Sequence, residues 1–153
     1  MNRLGSILVC LLSLGFGPSQ AATPSPSMSP SDVVETVLQA MARNDQPSAD
    51  AGIEMAYRFA SPANRASLGP YWHFVAVVKQ PAYAPLINHA NRELGQPTLD
   101  ERSASIPVIV VGSSGEVAGY LWSLSKQTDG DYADSWMTDS VVRVPLGPDL
   151  KAL

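Results

Sequence analysis

Apolar residues first recur at helical spacing. Val33, Val34, Val37, Leu38 and Met41 share one stripe and predict a helix over 31–43 with one buried face. Ser29-Pro30-Ser31-Asp32 reads as its start, with a serine cap, a proline in the first turn, and Asp32 and Glu35 near the positive end of the dipole. Asn44-Asp45-Gln46-Pro47 stops it. A second helix is expected from Ser48 to Phe59, where Ile53, Ala56, Tyr57 and Ala60 form a stripe. Ser61-Pro62 and Gly69-Pro70 then each begin a further helical segment, the latter running from Tyr71 to Lys79.

From Gln80 to Arg102 the pattern is irregular. Pro81, Pro85 and Pro97 break it, leaving room for a short helix over 85–94. After Ser105 the period changes to that of strands. Ile106–Val111, Glu116–Lys126 and Tyr132–Val144 are separated by the turns Gly112-Ser113-Ser114-Gly115 and Thr128-Asp129-Gly130-Asp131. Three strands joined by short turns pair antiparallel. Ala118, Tyr120, Trp122 and Leu124 alternate onto the face expected to meet the helices. Helices followed by a meander predict an α+β domain over 31–146 with helices on one side of a sheet.

The chain has 153 residues. Arg3, an apolar run from Leu4 to Phe16 and small residues at Ser19 and Ala21 give residues 1–21 the layout of a secretory signal peptide. The run is shorter than the roughly 20 residues a membrane helix needs, so no stable membrane span is expected after cleavage, whether the cut follows Ala21 or Ala22. The mature chain is expected in the periplasm, in a thylakoid lumen or outside the cell. Residues 22–30 read as a disordered Pro/Ser-rich tether, and 147–153 as a tail without signal. The single cysteine, Cys10, lies within the leader, so neither a disulfide nor a thiolate enters the chemistry. The formal charge of −4 becomes about −5 without Arg3, and no basic stripe occurs, which argues against nucleic acid.

Candidate chemistry is sparse. His73 and His89 are the two histidines, and neither lies in a metal-binding spacing, so neither a metal nor a cofactor is expected. His73 is a candidate acid or base, set against a hydrogen-bonded wall residue. Asp139 is the candidate buried base, set against a salt bridge or a strand-end cap. On a regular strand it faces away from Asp134. Arg65 beside a helix start suits an anion, set against a guanidinium that ties the corner to backbone carbonyls. Tyr57, Trp72, Tyr120, Trp122 and Trp136 are candidates for a cavity lining, and core packing calls for the same residues. Ser113 and Ser114 lack a nucleophile-elbow context.

The segments ETVLQAMARND, YRFASPANR followed by GPYWHF, and GYLWSLSKQTDGDY with SWMTDSVVRV resemble the DUF4864 domains across 31–144. That resemblance implies an NTF2-like cone, with three helices packed into a curved antiparallel sheet and a pocket at the wide end. It supplies no activity and no catalytic residues, and NTF2-like folds host isomerases, dehydratases, cyclases and non-catalytic binding or dimerisation modules. The leading expectation is a binding module that takes a small apolar ligand, or a homodimer or protein partner across the sheet. The alternative is an isomerase or dehydratase with Asp139 or His73 as base and Tyr57 as hydrogen-bond donor.

Overall fold

The computed structural model describes residues 21–147. The signal peptide predicted over 1–21 therefore lies outside the described residues except for Ala21, as does the tail beyond Gly147. Four helices come first: α1 (Pro30–Met41), α2 (Ala51–Phe59), α3 (Pro62–Leu68) and α4 (Tyr71–Val78). Five strands follow: β1 (Asn91–Leu94), β2 (Thr98–Leu99), β3 (Ser103–Val111), β4 (Val117–Lys126) and β5 (Trp136–Val144). All pair antiparallel in the order β1-β3-β4-β5, with β2 also against β3. The domain is α+β. Among the described residues no helix is long and apolar enough to cross a membrane.

The first helix starts as its sequence dictates. Ser29 Oγ accepts from Asp32 N–H in a reciprocal cap, and Asp32 Oδ2 accepts from the Ser29 hydroxyl at 2.7 Å and from Ser29 N–H at 2.8 Å, two donors that hold the Asp32 carboxyl below its usual pKa. Residues 22–30 depart from a free tether. Pro24 is buried, and Met28, just before the cap, packs against the core as a hydrophobic staple does. Proline content restricted the backbone here, and the one large apolar side chain gave it a place to dock.

Val33, Val34, Val37, Leu38 and Met41 are fully buried against Ile53 and Phe59 of α2 and the inward row Ala118, Tyr120, Trp122 and Leu124 of β4. The helix expected over 85–94 does not form. A 3-10 turn occupies Ala84–Leu86, and Asn91–Leu94 instead pairs with Val108–Val111. Asn88 takes a left-handed φ of 52°, tolerable for asparagine, which turns the chain into that strand. Pro107 sits inside β3 without disrupting it, because β1 ends opposite Val108 and β2 begins opposite Ser105.

β5 is irregular. Leu124 pairs with Thr138 and Ser123 with Ser140, so Asp139 is the extra residue of a β-bulge. The bulge inverts the alternation beyond it. Thr138 and Val141 turn toward the helices, and Val142 turns away. The parity reasoning that opposed Asp139 to Asp134 does not apply, since Asp134 lies before the strand at φ 62°.

Candidate functional site

The motif FASPANR is a helical corner docked on the free edge of β5. Ser61 caps α3 by accepting from Asn64 N–H. Ala60 then bridges to Thr138, whose carbonyl oxygen accepts from Ser61 N–H at 2.8 Å and from Asn64 Nδ2 at 3.1 Å. Arg65 locks the corner from behind, donating through Nε to Ala60 O at 2.9 Å and through a terminal nitrogen to Arg58 O at 2.8 Å. Its guanidinium also lies over the rings of Tyr57 and Tyr132. Nε and one terminal nitrogen are thus spent on backbone carbonyls, the structural duty set against an anion site.

With the corner held off the sheet, a cavity of about 270 Å³ opens between α1, α3, α4 and the β4–β5 pair. Val37, Met41, Phe74, Val78, Leu86 and Trp122 form its apolar wall. Asn64, Ser67, Thr138 and Ser140 add polar positions on the side of the docked corner. Tyr83 closes one end, its hydroxyl donating to Val141 O at 3.1 Å. Thr138 is buried and accepts from Trp122 Nε1 at 3.1 Å. That bond fixes the indole as a wall and leaves the threonine O–H proton to donate elsewhere.

The candidate residues scatter around this cavity. Trp122 lines it. Asp139 is among its lining residues, but its carboxylate accepts from Ser125 Oγ at 2.9 Å, a residue on the sheet face turned from the helices. His73 is exposed on α4 and donates through Nδ1 to Leu68 O, closing the end of α3. Trp72 is 71% exposed, and Trp136 packs against the core outside the cavity wall. Tyr57 stacks edge-on with Tyr71 and Phe74, also outside the wall. Tyr120 is fully buried, its hydroxyl bonded to Ala82 O at 2.9 Å, and burial raises its pKa to about 12. The pairing of Asp139 or His73 with Tyr57 that an isomerase would need is not assembled.

The cavity residues that carry polarity, Thr138, Ser67 and Ser140, did not stand out in the sequence, and Asn64 did so only as part of an anion site. His89 lies in the irregular segment before β1, as the sequence predicts, and is buried there, its Nδ1 donating to Leu86 O at 2.8 Å while Nε2 has no partner among the described residues. Burial lowers its pKa. Among the described residues no three His, Cys, Asp or Glu side chains gather as metal ligands.

The sheet face away from the helices exposes Val117, Leu121 and Val142 by 47%, 37% and 52%, Val142 also lining the cavity. Leu146 crosses this face over Gly119, its Cδ2 3.0 Å from where a side chain on that glycine would begin. No curated protein and no solved structure matches the chain. Its sequence matches the family described as Domain of unknown function (DUF4864) over residues 27–145, most of its length, and the protein belongs to that family.

Proposed function

We propose that the domain is a non-catalytic receptor for a small apolar ligand, held in the chamber between α1, α3–α4 and β4–β5. The observation that carries this reading is the chamber: about 270 Å³, apolar on most sides, with a few polar groups on one. That is the usual make-up of a ligand site, at a volume just below the common range of roughly 300–1,000 Å³. On this reading the architecture is an NTF2-like cone with the chamber at its open end. The leader places its work in an exported compartment. The test is native mass spectrometry of the protein purified gently from the cells that make it, beside the same sample denatured. Wild type is expected to carry an excess mass lost on denaturation, and Ala56→Leu, which fills the chamber from α2, to carry none. An equal excess mass on both would defeat the proposal.

The exposed Val117, Leu121 and Val142 support a second reading, self-association of two copies across that face. The sheet is about 19 Å wide and 30 Å long from standard strand spacings. Covering it on two copies buries roughly 1,100 Å², just past the ~1,000 Å² of a specific interface. Sedimentation of wild type against Leu121→Lys/Val142→Lys decides it: a dimer that the double variant abolishes is expected, and a wild-type monomer at high concentration refutes it.

A further inference from the structure

We infer that the ligand is an uncharged hydrocarbon carrying one oxygen, an alcohol in the first instance, whose oxygen is read by Thr138. The inference rests on the chamber being a ligand site and names what it selects. The chamber wall contains no lysine, arginine or histidine, and the nearby Arg65 is committed to two backbone carbonyls and a tyrosine ring. A carboxylate entering this space loses its water without gaining a cation. The one acidic residue on the chamber wall, Asp139, has its carboxylate held by Ser125 Oγ of the far sheet face, which draws that charge away from an ammonium in the chamber.

The polar groups that remain match a neutral oxygen. Thr138 Oγ1 already accepts from Trp122 Nε1, and its O–H finds no acceptor among the described residues, so it is a donor awaiting a ligand lone pair. Asn64 Nδ2 donates to the Thr138 backbone carbonyl at 3.1 Å, and its Oδ1, which accepts from no described residue, is an acceptor on a residue that lines the same chamber. An alcohol carries both a lone pair for the threonine and a proton for the asparagine. An aldehyde or ketone satisfies the threonine alone. An ammonium has no lone pair for the threonine, and a carboxylate has no proton for the asparagine. Of the two, Thr138 is the buried one, and a buried polar group left unpaired discriminates strongly between ligands of equal size.

The test holds the hydrocarbon constant and varies the head. Calorimetric titration of the full chain at neutral pH with 4-phenyl-1-butanol, 4-phenylbutyrate and 4-phenylbutylamine reads all three charge states. The alcohol is expected to bind at least tenfold more tightly than either ion, with no binding to Ala56→Leu. Thr138→Val is expected to weaken the alcohol about five- to tenfold, the scale of one hydrogen bond, while Thr138→Ser keeps the preference. If either ion binds as tightly as the alcohol and Ala56→Leu still abolishes binding, the chamber stands and the ligand class is wrong. If none of the three binds, or binding survives Ala56→Leu, the chamber reading falls with it.

Discussion

Gly52 is the point at which α1 and α2 come closest, and Gly52→Ala tests that crossing. A Cβ built on Gly52 would lie 2.6 Å from Ala40 O, 2.9 Å from Met41 Cα and 3.0 Å from Ala40 C. All three are backbone atoms, so no side chain can swing aside, and α1 must move by several tenths of an ångström. Overpacking of this kind costs about 1–3 kcal/mol. The gain in helix propensity from glycine to alanine returns up to about 1 kcal/mol, and less here because Gly52 lies in the first turn of α2. The net expectation is a loss of about 1–2 kcal/mol. With an m value of about 2 kcal/mol/M, the urea midpoint should fall by roughly half to one molar at unchanged slope. Because Met41 also walls the chamber, the alanine variant should in addition weaken binding of 4-phenyl-1-butanol. A midpoint equal to or above that of wild type would refute the close crossing.

Three further perturbations address other parts of the molecule. Asn44 is buried and joins three segments: its Oδ1 accepts from Ile53 N–H, its Nδ2 donates to Asp45 and Asp50, and its N–H donates to Asn88 Oδ1. Asn44→Ala should cost about 2–3 kcal/mol by leaving the Ile53 N–H buried without an acceptor, and a thermal-unfolding shift within error of wild type would contradict this. His89 has a lowered pKa in the folded state, so the unfolded chain takes up its proton first as pH falls below about 6.5, and stability drops there. Urea midpoints at pH 7.5 and 5.5 should show a steeper loss for wild type than for His89→Gln, and equal losses would remove the buried neutral imidazole from the account. Asp139→Asn should leave affinity for 4-phenyl-1-butanol within twofold, since its carboxylate faces Ser125; a tenfold loss would place that group inside the site.

The parts of the fold legible in the sequence are those whose cause is local. Ser29 and Asp32 announce the start of α1, Ser61-Pro62 that of α3, and the branched run Ile106–Val111 lies within β3. β1 was not legible because Asn91-Arg92-Glu93-Leu94 has no strand composition; it is a strand because the edge of β3 lies beside it. Its Arg92 also pairs with Glu35 of α1, a contact made only after folding.

The chamber was half legible. Choosing wall residues by aromatic size found Trp122 and missed on Trp72. α4 buries Phe74 and Val78, four residues apart, and Trp72 falls off that stripe. The bulge at Asp139 leaves no mark in the sequence, yet it decides that Val141 turns in and Val142 turns out. The motif around Asn64 and Arg65 admits both an anion site and a structural corner in the sequence, and its donors to the carbonyls of Arg58, Ala60 and Thr138 match the structural corner. That docking nonetheless forms one side of the chamber.

The central claim is that this chamber receives a neutral apolar molecule, and a crystal structure of the protein with 4-phenyl-1-butanol tests it most directly. The account predicts the alcohol between Phe74, Val78 and Trp122, with its oxygen about 2.7–2.8 Å from Thr138 Oγ1. Finding the chamber closed by its own side chains, or the alcohol bound on the Val117–Leu121–Val142 face instead, would contradict it.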